Sequence, residues 1–456
     1  MYAELELPPT YANAPLDPKR ASQRIAIVGS GISGLAAAWL LAKRHRVTLF
    51  EAEGRLGGHT HTVDVKLGGR SHPVDTGFLV FNERNYPHFT RLLRSLGVAY
   101  QPADMSFSFR CADSGVEYRG DTDFNAIFAQ RRNLLRPAHY RMLLDILRFN
   151  RLGGELLAAP PERTLGDFLD QHGFKGPMLD DYLLPMASAI WSAEPARILD
   201  FPASHFGHFF SNHGLLQTTG RPQWMTVSGG AREYVRAIIT PLRDRLLLNT
   251  PVEWVQRHAD RVVIKARGRA EASYDHVVLA CHSDQALSLL RDPSTAEREI
   301  LGAVSFQDNE AVLHTDASLM PRTRRARAAW NYHRSSTQDS GRVSVTYDLT
   351  RLQSLPGPRE FLLTLNDTGA VDPRAVVERL NYMHPVYNHA TIAAQQRHAE
   401  INGVNRSYYC GAWWGYGFHE DGVRSAIAVC DAFTRITGLV LDGTAAETTT
   451  ETQAVA

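Results

Sequence analysis

Three glycines, Gly29, Gly31 and Gly34, stand at GxGxxG spacing, and an acid, Glu51, follows roughly 20 residues after them. Glycines at that spacing let a backbone approach a pyrophosphate at a helix N-terminus. A carboxylate at the end of the next strand is placed to take a ribose hydroxyl. Ser30 and Ser33 lie inside the turn, and Ala52, Arg55, Gly58 and His59 follow the acid. Arg55 can neutralise phosphate charge, and the glycine pair lets the chain pass close to a ligand. The chemistry implied is capture of an adenine dinucleotide. No Ser-His-Asp pattern and no carboxylate pair stands out, which fits a reaction carried by the cofactor.

Histidines are the other candidates. His59 and His61 alternate on a predicted strand and would share one face. His205, His208 and His213 have spacing open to a metal reading, but no carboxylate or thiolate completes either set. Hydrogen-bonded or solvated histidines, and an aromatic wall over residues 185–216, are the readings preferred; no metal is expected.

The elements that must position these residues follow from the apolar pattern. Residues 25–28 read as a strand, 35–42 as a helix and 47–50 as a second strand, which gives the glycine turn its required setting. Residues 74–78 supply a strand and turn. Residues 87–96 read as an amphipathic helix stopped at Gly97, before a strand with alternating Phe107 and Phe109. From about 121 to 216 the pattern turns helical. From 221 it returns to strand, glycine turn and helix, then three strands that include Val252 and end near Ala280. Residues 408–433 give a strand, a loop rich in glycine and aromatics, and a helix starting near Gly422.

Length and composition bound the rest. At 456 residues the chain exceeds one simple core and predicts two domains. Lys+Arg of 49 against Asp+Glu of 48 gives no basic face for nucleic acid, so no nucleic-acid partner is expected. Cys111, Cys281, Cys410 and Cys430 are far apart, arguing for a reducing compartment and neither a disulfide framework nor a zinc site. No apolar run is long enough to span a bilayer. Residues 1–22, with four prolines, lack the apolar core of a signal peptide and read as a loose arm; residues 441–456 read as a disordered tail. A cytoplasmic location is the expectation. Residues 131–151 hold six arginines and one acid beside apolar residues. This pattern is open to a water-facing helix or to peripheral contact with the inner face of an anionic membrane.

GxGxxG, a strand-ending Glu51 and then RxGG resemble the FAD-binding start of the flavin amine oxidase superfamily, which also holds protoporphyrinogen oxidases and phytoene desaturases. This chain has His59 where those proteins usually carry Arg. The strings VGSGISGL, GGHT, VDTGFLVFN, DMSFSF, HPVY and GFHEDG resemble, more specifically, the FAD-containing region preceding the methyltransferase in plant cyclopropane fatty acid synthases. They also resemble its free-standing bacterial relatives. The resemblance runs from about residue 24 to 433.

It implies an α/β fold: a Rossmann-like FAD-binding domain over 23–110, 221–286 and 396–440, with an inserted α+β substrate or cap domain over 111–220 and 287–395. It implies flavin contacts at Gly77 and Phe78, adenine contact at the Val252 backbone, and Ala280 closing the last nucleotide-domain strand. Gly411 and Ala412 would follow the final strand, and Glu420, Asp421, Gly422 and Val423 would start a helix aimed at the flavin. Such a helix start stabilises the negative charge of reduced flavin. Cys410 does not match the cysteine that links flavin in some amine oxidases, so FAD is expected to be non-covalent.

Only one dinucleotide fingerprint is present, so the flavin is expected to take a hydride from substrate and pass electrons to oxygen, a quinone or another carrier. Hydride abstraction needs an apolar pocket that excludes water; Trp413, Trp414, Tyr416, Phe418, Trp330 and Tyr332 are candidates for its walls, and His419 for a base or flavin-polarising group. The leading expectation is an FAD-dependent oxidoreductase that desaturates or isomerises a lipid acyl chain (unsaturated, methyl-branched or cyclopropane-related). The alternatives are a peroxide-producing amine oxidase and a non-catalytic flavoprotein partner of a lipid methyltransferase.

Overall fold

A computed structural model describes residues 22–121, 123–217, 219–334, 344–357 and 359–437. The tail at 441–456 and the arm at 1–22, apart from Ser22, lie outside the described residues.

Arg24–Val28 is buried along all but its first residue, because it is covered on both faces at the centre of a sheet. That sheet has five parallel strands in the order Ser407–Tyr409, His276–Leu279, Arg24–Val28, Arg46–Phe50, Leu246–Leu247. The helix Ile32–Leu41 is apolar nearly all round and buried between the sheet and the long closing helix His419–Thr437. The opposite face packs against the antiparallel strands Val252–Arg257, Val262–Ala266 and Ala272–Tyr274 and the helices Ser283–Leu289 and Thr295–Gly302. This is a two-faced nucleotide-binding layer built from three distant stretches of chain.

A second sheet of seven strands runs Val376–Val386, Ser305–His314, Leu362–Leu365, Ser344–Asp348, Trp330–Arg334, Phe107–Cys111, Glu117–Gly120. Its neighbours are antiparallel except Trp330–Arg334 against Phe107–Cys111, which are parallel. Helices between Pro137 and Asn212 share its core. The boundary expected between residues 110 and 111 therefore moves. Phe107–Cys111 lies in the seven-stranded sheet because its register with Trp330–Arg334 buries Phe109 and Cys111 there. Among the described residues, no helix is long and apolar enough to cross a membrane.

Candidate functional site

The glycine turn follows the opening strand directly. Gly29 has φ +103°, and a Cβ there would lie 2.7 Å from the Ala280 carbonyl oxygen. A Cβ on Gly34 would lie 2.0 Å from the Gly29 oxygen, so Gly34 serves the turn's own packing and does not line the cavity below. Gly31 differs from both, for a Cβ there meets nothing within 4 Å. It is the N-cap of the helix Ile32–Leu41, whose first turn no side chain caps. Open space beside uncapped backbone N–H groups is an anion cradle.

Glu51 lines the same space. Its Oε2 accepts from the Ser30 amide at 3.0 Å and from the Ser30 hydroxyl, and its Oε1 accepts from the Glu53 amide at 2.9 Å. Arg55 Nη1 donates to the Gly58 carbonyl at 2.6 Å, fixing the turn that carries His59. His59 lies in that turn and not on a strand, which begins only at Thr62. Its carbonyl accepts from the Phe78 amide at 2.9 Å, and a Cβ on Gly77 would lie 2.0 Å from it. That approach is what requires glycine in the Asp75-Thr76-Gly77 turn. The His59 ring packs 5.1 Å from Tyr382 and 5.3 Å from His384, with Nε2 buried and unpaired. Burial, then the nearby His384, holds its pKa well below the ordinary histidine value. His61 takes a separate place, with its Nδ1 3.3 Å from the Tyr382 hydroxyl.

These residues open onto a cavity of about 1400 Å³. Of the residues expected from sequence, Gly29, Ser30, Gly31, Ser33, Glu51, Arg55, Gly58, His59, Gly77, Phe78, Ala280, Gly411, Ala412, Tyr416 and His419 line it. Others do not. Ala52 points to solvent, and Val252 packs into the core on the far side of the parallel sheet. Trp414 is buried against Trp413 at 4.2 Å and His398 at 4.1 Å, so it is no cavity wall; of the other aromatic candidates Trp413, Phe418 and Trp330 line the cavity, and Tyr332 is buried in the core of the seven-stranded sheet.

The start of the closing helix is a bracing device. Glu420 accepts from the backbone of His88 at 3.2 Å and Phe89 at 3.0 Å, supplying the cap that the helix Pro87–Ser95 lacks. Asp421 accepts from the backbone of Tyr416 at 3.0 Å and Phe418 at 3.1 Å, holding the aromatic loop in place. Gly422 is a crossing point, since a Cβ there would lie 2.7 Å from Ile32 Cγ2 and 2.9 Å from Ser33 Oγ. Val423 is buried in the core between the two helices.

His419 reaches the cavity but is heavily engaged. Its Nε2 lies 2.8 Å from the Tyr234 hydroxyl and 3.1 Å from the Thr60 hydroxyl, and its ring stacks on Phe78 at 3.5 Å. Burial pushes its pKa down to about 3. A group with so little proton affinity is a poor base near neutrality, so of the two roles expected, polarising a bound ring is the one compatible with this setting.

The histidines at 205–213 are dispersed. His205 stacks on Tyr416 at 4.3 Å, His213 Nδ1 donates to the Phe209 carbonyl at 2.9 Å, and His208 faces solvent. Among the described residues no group of three His, Cys, Asp or Glu could hold a metal ion.

The remainder of the wall comes from the seven-stranded sheet (Phe107, Trp330, Tyr347, Leu363) and from helices facing it (Met142, Ile146, Met186, Trp191). Sequence reasoning did not single out Tyr382 and His384 as wall residues. Their alternation on one strand, with His384 opening the HPVY string, was the signal that could have found them.

A model of the family described as flavin containing amine oxidoreductase matches residues 32–311. The chain belongs to that family. FAD is accordingly the dinucleotide this cavity takes, and the uncapped helix start, the open space at Gly31 and the fixed carboxylate of Glu51 fit its phosphates and ribose. The chain is similar to an L-amino-acid oxidase from Siganus canaliculatus, 24% identical over 330 residues; the match covers 65% of this chain and 57% of that protein's length. Cyclohexylamine oxidase from Brevibacterium oxydans shares the fold at a TM-score of 0.65 and 18% identity, over 91% of this chain and all of that one. So does a CLA-producing fatty acid isomerase from P. acnes, at a TM-score of 0.63 and 15% identity, over 90% of this chain and 98% of that one.

Proposed function

We propose that this amine-oxidoreductase-family protein is an FAD-dependent oxidoreductase that desaturates or isomerises a lipid acyl chain. One observation supports the acyl chain above the others: the cavity wall beyond the glycine turn is mostly apolar, and its acids are paired. Four acids lie on the whole lining. Glu51 and Glu53 belong to the dinucleotide end, while Asp104 and Asp121 pair with Arg351 and Arg119 at 3.2 and 3.0 Å. A cationic amine therefore meets no unpaired carboxylate away from the dinucleotide, whereas a hydrocarbon chain meets Met, Phe, Leu, Ile and Trp side chains. The fatty acid isomerase of the same fold, and the strings that resemble the region preceding plant cyclopropane methyltransferases, favour the same class.

Bound FAD supplies a two-electron hydride acceptor. The chain's residues do the rest. Gly31 and the helix start behind it hold the phosphates, Glu51 the ribose, and Arg55 the adjoining turn. Phe78, stacked under His419, and the Gly411–Ala412 backbone border the space nearest the closing helix. Tyr416, Trp330 and Tyr347 exclude water from the carbon that reacts. A cofactor held without a covalent link is the reading supported by Cys410, which is buried off the cavity, and by the Cys281 thiol, pushed up to about 12 by burial.

Anaerobic mixing of the holoprotein with unsaturated or methylated phospholipid should bleach the flavin absorbance. Peroxide release from polyamines or aromatic amines, with every lipid inert, would replace this reading by an amine oxidase. Inertness toward both, together with recovery of a lipid methyltransferase on pull-down, would favour a non-catalytic partner role.

A further inference from the structure

The sequence between residues 131 and 151 divides in the structure into a short 3-10 turn, Arg131–Leu135, and the helix Pro137–Arg151. Met142, Ile146 and Leu147 of that helix line the cavity. Leu147 is also 42% exposed, so the cavity reaches the surface along this helix. The outer face is unusually apolar for a water-facing helix. Leu135 is 87% exposed and Leu144 66%; Tyr140 and Leu147 continue the stripe at helical spacing, and Phe124 joins it through Phe128, whose ring lies 5.7 Å from that of Tyr140. Arg131, Arg132, Arg141, Arg148 and Arg151 are exposed around this stripe, and with Arg136 they face a single acid within the segment, Asp145.

Apolar side chains ringed by cations match one kind of surface: a leaflet with anionic headgroups over hydrocarbon. An acidic protein would complement the arginines but not projecting leucines at an open cavity mouth. We propose that this face docks on an anionic lipid bilayer, with Leu135 and Leu144 entering the headgroup region and the cavity mouth at Leu147 turned toward the lipid. The arrangement gives an acyl chain a path from the leaflet into the cavity that does not cross water.

Vesicle flotation of the holoprotein tests it without turnover, so it stands or falls separately from the acyl-chain reading. Vesicles of equimolar phosphatidylglycerol and phosphatidylcholine should carry the protein at low salt. Vesicles of phosphatidylcholine alone should carry it at least about tenfold less well, and added salt should release it. Leu135→Glu with Leu144→Glu should lower binding to the anionic vesicles about tenfold or more at unchanged melting temperature and flavin content. Arg131→Glu with Arg141→Glu should weaken binding and flatten its salt dependence. Absence from both vesicles, equal binding to both, or wild-type binding by the leucine variant would overturn the proposal.

Discussion

At the scale of single residues, His419 shows how burial reassigns a candidate. An imidazole with Nε2 between the hydroxyls of Tyr234 and Thr60, and a ring face on Phe78, is a structural anchor at the rim of the cavity. Replacing His419 by Ala leaves the buried Tyr234 hydroxyl short of a partner and opens a void, so we expect a loss of about 2–4 kcal/mol in denaturant unfolding. His419→Gln keeps a hydrogen-bonding group and should recover part of that loss. If His419 polarises the ring and is not a base, the pH profile of flavin reduction in the Gln variant keeps the shape of the parent, with only its height lowered. A vanished acid limb would restore the base role. Glu51 makes the complementary case: a strand-ending acid was legible in the sequence because its distance from the glycine turn is set by one helix and one strand.

At the scale of elements, the two helices Ile32–Leu41 and His419–Thr437 meet through Gly422, far apart in sequence but touching at their N-terminal turns. Their contact sets how the closing helix start approaches the cavity. Gly422→Val drives a branched side chain into Ile32 and Ser33, and should cost about 1–3 kcal/mol in thermal or denaturant unfolding while lowering retained flavin after dialysis. Unchanged flavin retention with unchanged stability would mean the crossing has more room than 2.7 Å suggests. The motif GFHEDG was readable as a helix start. That Glu420 caps a different helix and Asp421 ties back an aromatic loop was not, because each partner lies on a surface brought together only by folding.

For the whole molecule, burial of histidines governs the response to acid. His45, His61, His213, His276, His314 and His384 are pushed down to about 4, and His205 and His419 to about 3, with burial the first cause in each. Their folded pKa lies below the unfolded value of 6.5, so their contribution to stability is complete above about pH 6.5 and is lost as the pH falls toward 4. Asp75, raised to about 7, and Asp421, raised to about 6, both by burial, act with the opposite sign. Their contribution is complete below about pH 4 and lost as the pH rises through 6 to 7. The histidines outnumber the aspartates, so melting followed by circular dichroism should show a midpoint about 10 °C lower at pH 5 than at pH 7. A flat or rising profile toward acid would show that these imidazoles are reached by water in the native state.

The sequence alone determined the opening nucleotide unit, the FAD frame and the return of the chain to that frame at its end. Those rest on local rules: apolar periodicity, glycine where a backbone turns tightly, and an acid one helix and one strand beyond. Only the tertiary structure decided which candidates face the cavity. Of the aromatic wall candidates, Trp414 and Tyr332 turned away from the cavity while Trp413, Trp330, Tyr416 and Phe418 stayed and Tyr382 and His384 joined them, because which side of a loop or strand meets a ligand depends on the partner surface it packs against. It also moved the strand Phe107–Cys111 out of the nucleotide layer, since strand pairing is a contact between segments more than two hundred residues apart and leaves no mark on either segment by itself.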